Sequence, residues 1–124
     1  MNICLSLIGS AFIFLLAGAA FGAPADERMR RLATESGCTL CHAERQPQGD
    51  AVVPPAPAWT DIAKRYHGQR GAEQKLVQVV VHGAGPDKRH WEGKTRFIAM
   101  PPNPVEISEQ DAHRLVRWIL RRGP

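Results

Sequence analysis

Hydrophobic and polar residues change pattern sharply along the chain, which begins with a long apolar run. Residues 3–21 contain no Asp, Glu, Lys or Arg, and the run ends in small residues just before Pro24. Such a run is either a secretory signal peptide or a retained membrane anchor. The small residues favour cleavage. We therefore expect a signal peptide over 1–23, cut between residues 19 and 23, and one exported domain over 24–124.

Beyond that run, apolar residues recur at helical spacing in four short segments. The predicted helices are Asp26 to Gly37, Trp59 to Tyr66, Ala72 to His82, and a last helix that follows Ser108 and stops at Gly123. The run Val79–Val81 also fits a strand, so the third segment is ambiguous by itself. Proline-rich and glycine-rich stretches separate the segments. The pattern indicates an all-α fold of about four short helices joined by long loops.

Two of these helices carry candidate N-terminal caps. Thr60 is a possible cap for the second helix, and Ser108 caps the last one with Asp111 at the capping-box position. Arg114, Arg117 and Arg121 lie on the polar side of the last helix, where we expect a solvated face.

Composition narrows the class of protein. The 124 residues carry a formal net charge of +4, with 44% hydrophobic and 6% aromatic residues. The hydrophobic content is too high for a disordered chain. No basic patch interleaved with aromatic residues occurs, so nucleic acid is not an expected partner. Removing the signal leaves roughly 100 residues with few aromatics, a domain size at which a cofactor, metal or disulfide often completes the core.

The central motif is Cys38-Thr-Leu-Cys41-His42. Cys4 leaves with the signal, so two cysteines remain in the exported domain. Two thiols separated by two residues, with a histidine directly after the second, form the attachment signature of c-type haem. Each thiol adds to one vinyl group of the porphyrin, and the adjacent imidazole becomes the proximal iron ligand. The sequence favours one haem c bound through Cys38 and Cys41, with His42 on the iron.

Other uses of this motif lack supporting residues. A zinc site needs two further ligands at matched spacing. A thioredoxin-like site needs a preceding strand, whereas a helix is predicted before Cys38. The remaining histidines are isolated from one another along the chain: His67, His82, His90 and His113.

A second axial ligand is expected in the loop of residues 83–104. Met29 lies on the apolar face of the first helix, where it packs as a core residue. Met100 precedes Pro101 and Pro102, and these prolines hold the loop extended. Met100 is therefore the leading candidate for the distal ligand, and His82 and His90 are the alternatives.

The order of these motifs resembles the class I cytochromes c, and more narrowly the small bacterial monohaem cytochromes that carry electrons to nitrite reductase or terminal oxidases. The resemblance covers essentially the whole mature domain and implies helices and long loops wrapped around one covalent haem. The residues that carry it are Gly37-Cys38-x-x-Cys41-His42, Pro57-Ala58-Trp59-x-Asp61-Ile62-Ala63, Gly68-Gln69-x-Gly71-Ala72-Glu73, Trp91, Met100-Pro101-Pro102-Asn103 and Trp118.

The resemblance also implies roles for further residues. Cys38, Cys41, His42 and Met100 match the two thioether cysteines and the two axial ligands. Pro57 matches a proline whose carbonyl accepts a hydrogen bond from the proximal imidazole. Asn103 matches a residue whose amide steadies the methionine sulfur. Trp91 resembles a tryptophan whose indole N–H meets a haem propionate.

The chain departs from the family pattern beside the propionates. Val79 stands where the family often places an arginine. The loop from Gly85 to Ala99 is longer than usual and rich in basic residues. We hypothesise that one of its cations replaces the missing propionate partner. The candidates are Lys88, Arg89, Lys94 and Arg96.

Together these features predict a periplasmic one-electron carrier that is not an enzyme. Its expected partners are redox proteins, namely an oxidase, a nitrite reductase or a dehydrogenase. We expect the protein to be a monomer that forms transient complexes with them. Neither nucleic acid nor, after signal cleavage, a membrane is expected as a partner. Two alternatives stay open: a dedicated haem subunit of a dehydrogenase, and a ligand-sensing haem protein, which requires Met100 to be unbound. The chain without haem is expected to be largely unfolded.

Overall fold

The regular elements of the protein are helices. A computed structural model describes residues 22–46, 53–85, 90–97, 99–103, 105 and 107–124. The helices are α1 (Gly22–Glu35), α2 (Trp59–Tyr66), α3 (Ala72–His82) and α4 (Glu109–Leu120), with a 3₁₀ turn at Cys38–Leu40. No strand occurs in these ranges, so the predicted all-α class is confirmed. The ambiguous valine run lies inside α3.

One helix start and one helix cap differ from the sequence prediction. Helix α1 begins at Gly22 rather than Asp26, because Pro24 falls in the first turn, where no backbone N–H is needed. Helix α2 starts at Trp59 as predicted, but its N-cap is Ala58, so the cap predicted at Thr60 is wrong. The N–H groups of Trp59 and Thr60 instead donate to loop carbonyls, at 2.9 and 3.2 Å, which removes the need for a hydroxyl cap.

The cap at Ser108 is confirmed. Its hydroxyl oxygen accepts a hydrogen bond from the backbone N–H of Asp111 at 3.1 Å, and the hydroxyl donates to the Asp111 carboxylate at 2.8 Å. The signal peptide and its cleavage site stay predictions, because residues 1–21 lie outside the described part of the chain. In the described ranges no helix is long and apolar enough to cross a membrane.

Helix α4 is the centre of the packing, and it contacts each of the other three helices. Its Trp118 meets Trp59 of α2 edge to face, with ring centroids 5.1 Å apart. A second cluster joins Val77 of α3 to Ala112 and Val116 of α4. Twelve hydrophobic residues of the described ranges are buried, and five of them are alanines, so the core is small for a domain of this length.

Candidate functional site

A largely apolar cleft opens beside this core, between α3, α4 and the long loops. Its walls are formed by aliphatic side chains of the two helices: Leu76, Val79, Val80, Leu115, Val116 and Ile119. All seven residues predicted for the site line the same cleft, although they come from four separate stretches of sequence: Cys38, Cys41, His42, Pro57, Trp91, Met100 and Asn103.

The two thiols reach the cleft because α1 ends in a tight turn. Gly37 adopts a left-handed conformation, with φ of 71°, which a residue with a side chain rarely takes. The chain then closes into the 3₁₀ turn, and the N–H of His42 donates to the carbonyl of Cys38 at 3.0 Å. Cys38 and Cys41 are free thiols. Burial raises the pKa of the Cys38 thiol, so this thiol is protonated at neutral pH.

His42 is fixed by a hydrogen bond from its ring. Its Nδ1 lies 2.7 Å from the carbonyl oxygen of Pro57. A carbonyl can only accept, so Nδ1 carries the proton and Nε2 keeps its lone pair. Burial lowers the pKa of His42, partly offset by this hydrogen bond, and the ring is neutral at pH 7. A neutral imidazole with a fixed Nδ1–H is the form that binds a metal.

Met100 reaches the cleft through a close crossing of two segments. The N–H of Ala84, just after α3, donates to the Met100 carbonyl at 2.8 Å. Gly83 makes this crossing possible, because its φ is 79° and a Cβ there would lie 2.7 Å from the backbone nitrogen of Pro102. Met100 itself is half-buried.

Asn103 ties the methionine loop to the end of α1. Its side-chain amide donates to the Ser36 carbonyl at 3.1 Å, and its Oδ1 accepts from the N–H of Val105 at 3.1 Å. The second N–H of this amide is available to the Met100 sulfur, and that contact stays a prediction.

The histidines that compete with Met100 occupy different positions. His90 also lines the cleft, as an exposed side chain. His82 is exposed at the end of α3 and is not part of the cleft lining.

Trp91 is held in an ordered turn at the cleft. Its carbonyl accepts hydrogen bonds from the N–H groups of Lys94 and Thr95, at 2.9 and 3.2 Å. The buried Thr95 hydroxyl donates to the Phe97 carbonyl at 2.8 Å. The guanidinium of Arg65 lies 5.5 Å from the centre of the Trp91 ring, within cation–π distance.

Sequence reasoning missed a cation that lines the cleft. Lys75 lies one helical turn before Val79 on α3, and its Nζ is 6.0 Å from the Tyr66 ring centre. The spacing of four residues between Lys75 and Val79 puts both on one face of α3, and it is the signal that could have found this cation. Of the predicted loop cations, Lys94 and Arg96 are exposed and absent from the cleft lining, and Lys88 and Arg89 lie outside the described residues.

The residues present suit a covalent haem. Two free thiols and a neutral imidazole supply two thioethers and one axial ligand, and Met100 offers a second axial ligand. The aliphatic walls suit the porphyrin faces. The donor set and the small core therefore agree with one large apolar cofactor in this cleft.

Comparisons with known proteins agree with this chemistry. No protein-family model matches the chain. Over 90 residues, 72% of the chain and 86% of the relative, it is 39% identical to cytochrome c2 of Rhodocyclus tenuis. It is 36% identical over 89 residues to cytochrome c-551 of Allochromatium vinosum, covering 72% of the chain and 80% of that protein. The crystal structure of wild-type Nitrosomonas europaea cytochrome c552 superposes with a TM-score of 0.56 at 31% identity, covering 73% of the chain and 95% of that structure.

Proposed function

The chain belongs to the small class I cytochromes c, and from that premise we propose that it is a one-electron carrier with a covalent haem c. Cys38 and Cys41 hold the haem by thioether bonds, and His42 and Met100 are its axial ligands. The single observation that carries the proposal is the convergence of these four side chains on one apolar cleft.

The motif side of the cleft supports His42 as the proximal ligand. Its Nδ1–H donates to the Pro57 carbonyl at 2.7 Å, which orients the ring and makes Nε2 a stronger donor toward the metal. Because the ring cannot rotate freely, little rearrangement accompanies a change in the charge of the iron. When bound, the haem supplies an iron that exchanges one electron between the ferrous and ferric states.

Met100 and the cleft walls favour the ferrous state. A thioether is a soft ligand and stabilises ferrous over ferric iron. Apolar side chains such as Leu76 and Leu115 disfavour the additional positive charge of the ferric state. Both effects raise the reduction potential. With two axial positions filled by side chains, no position is left for an external ligand, so the protein acts as a carrier and not as a catalyst.

Lys75 and Trp91 are proposed partners of the haem propionates. Lys75 supplies a cation on the face of α3 where the family arginine is replaced by Val79. The Trp91 indole N–H is a donor at the same cleft, and its turn is held by the hydrogen bonds of Thr95. A cation and an indole donor there would stabilise ionised carboxylates.

The carrier works after export, in the periplasm of its host, with residues 1–23 removed as a signal peptide. Its formal net charge of +4 favours transient complexes with acidic surfaces of redox proteins, whose formation weakens as salt rises.

The optical spectrum of the ferric protein tests Met100. A thioether bound to ferric iron gives a weak charge-transfer band at the red end of the visible spectrum, and we expect this band in the exported protein. Met100→Ala should lose it, whereas Met29→Leu, which alters a methionine packed on the core, should keep it. A wild-type spectrum without the band would refute the proposed axial ligand.

A further inference from the structure

A second cavity lies on the other side of α4 and differs in chemistry from the cleft. It is an open groove of about 550 Å³ between α1 and α4. Six arginine side chains line it: Arg28, Arg45, Arg114, Arg117, Arg121 and Arg122. We propose that this arginine groove binds an anion that carries two or more phosphate groups. The proposal does not depend on the haem.

The fold assembles the groove from separate parts of the chain. Arg28 comes from α1, Arg45 follows the haem motif, and the other four arginines come from α4 and its end. On α4 itself the two sides are distinct. Leu115, Val116 and Ile119 line the cleft, whereas Arg114, Arg117 and Arg121 line the groove. The α4 arginines alone are a solvated helix face, and Arg28 and Arg45 turn that face into a concave site.

Most donors of these guanidinium groups are free to bind a ligand. Among the described residues, the side chains of Arg28, Arg45 and Arg121 make no hydrogen bond. A guanidinium has five N–H groups. Arg114 uses one on Asp111 at 3.1 Å, and Arg117 uses one on Glu73 at 2.9 Å.

Hydrogen bonds and a cation–π contact tie together the floor of the groove. The Trp118 indole N–H donates to Asp26 at 2.8 Å, and the Arg122 guanidinium lies 3.8 Å from the centre of the Trp118 ring. Arg122 also donates to Glu44 at 3.2 Å, and its buried Nε–H has no partner among the described residues. Asp26 is the only carboxylate in the described lining, and its oxygens already accept from Trp118 and Arg122. The ordered floor limits the entropy lost when an anion binds.

The density and shape of the positive charge indicate phosphate. Each phosphate group carries up to two negative charges and three acceptor oxygens, and it accepts paired N–H bonds from a guanidinium. A carboxylate brings one charge, so a peptide would need several acidic side chains in the same space. A cavity of this size fits a small ligand. Free polyphosphate and the headgroup of an anionic lipid with two phosphates, such as cardiolipin, both supply this chemistry.

Because α4 separates the groove from the cleft, a ligand bound in the groove does not contact the residues that line the cleft. Binding should therefore leave the haem spectrum unchanged, which distinguishes the groove from a ligand that enters the cleft.

Calorimetric titration of the exported protein with tripolyphosphate, at fixed ionic strength, tests the proposal. We expect one saturable site per chain, weakened about tenfold or more by the double variant Arg114→Gln/Arg121→Gln, which removes two groove guanidinium groups. The matched control Arg31→Gln/Arg70→Gln removes two exposed arginines that do not line the groove, so its affinity should change less than about twofold.

Sedimentation with vesicles distinguishes the two sources of phosphate. Binding to vesicles that contain cardiolipin, whose headgroup carries two phosphates, but not to phosphatidylcholine vesicles, that is lost in the groove variant identifies a lipid headgroup. Saturable binding of tripolyphosphate without vesicle binding identifies a free polyphosphate. Equal weakening in the groove and control variants would show a simple net-charge effect and overturn the proposal, as would the absence of binding to both probes.

Discussion

The motif side and the methionine side of the cleft are built in different ways. On the motif side, the thiols and the imidazole lie within five consecutive residues, and one hydrogen bond from His42 to Pro57 fixes the ring. On the methionine side, Met100 is positioned by backbone of another segment, at Gly83 and Ala84. The first side is encoded locally, whereas the second depends on two loops passing within van der Waals contact. Substitutions on the motif side and on the methionine side should therefore have different consequences.

The largest effect is expected from breaking the motif side. Cys38→Ala/Cys41→Ala removes both thioether bonds, and a small core beside an open cleft cannot then hold the helices together. We expect the exported variant to be largely unfolded, with most of its far-UV circular dichroism lost and no cooperative melt.

The control is Leu40→Ala, a change between the two cysteines at a side chain that is 81% exposed. It should keep covalent haem and the wild-type melt. A native-like spectrum and a cooperative transition in the haem-free double variant would contradict the role given to the cofactor.

A smaller effect is expected from Gly83→Ala on the methionine side. The new Cβ would lie 2.7 Å from the Pro102 backbone nitrogen, so the methionine loop must move. We expect a stability loss of about 2–4 kcal/mol, from positive φ and overpacking together, and a weaker methionine charge-transfer band with covalent haem retained.

Gly93→Ala is the matched control for that change. Gly93 has a similar φ of 75°, and a Cβ there would meet nothing within 4 Å. It should cost only about 1–2 kcal/mol and leave the band intact. Equal band losses in the two variants would show that close packing at Gly83 does not position Met100.

The smallest effect is expected from Lys75→Gln. Together with a loop variant, it tests whether the propionate partner comes from α3 or from the long loop. Removing a cation near the haem should lower the reduction potential by tens of millivolts, because the positive charge disfavours the ferric state. Lys94→Gln removes an exposed loop lysine that does not line the cleft and should shift the potential less. Protein-film voltammetry of both variants measures the difference, and a larger shift in the Lys94 variant would restore the loop hypothesis.

Local patterns predicted much of this architecture. Apolar spacing gave four helices, and the hydroxyl of Ser108 caps α4 as its sequence context indicates. Local sequence could not show that Thr60 is not the cap of α2. The first N–H groups of α2 donate to the carbonyls of Ala43 and Glu44, which lie in a loop distant along the chain.

The parts that sequence did not predict depend on tertiary contacts. The amide of Asn103 donates to Ser36, 67 residues away in the chain. Lys75 is exposed and lines the cleft only because α3 presents its Lys75–Val79 face to that cleft. Likewise, Arg28 and Arg45 meet the α4 arginines through the packing of α1 on α4, and no spacing within one helix could indicate this.

Carbon monoxide titration of the reduced protein tests the central claim most directly. If His42 and Met100 fill both axial positions, the wild-type spectrum stays unchanged at carbon monoxide concentrations that saturate Met100→Ala. Stoichiometric binding to the wild-type protein, equal to that of the variant, would show that Met100 does not hold the iron and would contradict the account of this protein as a carrier.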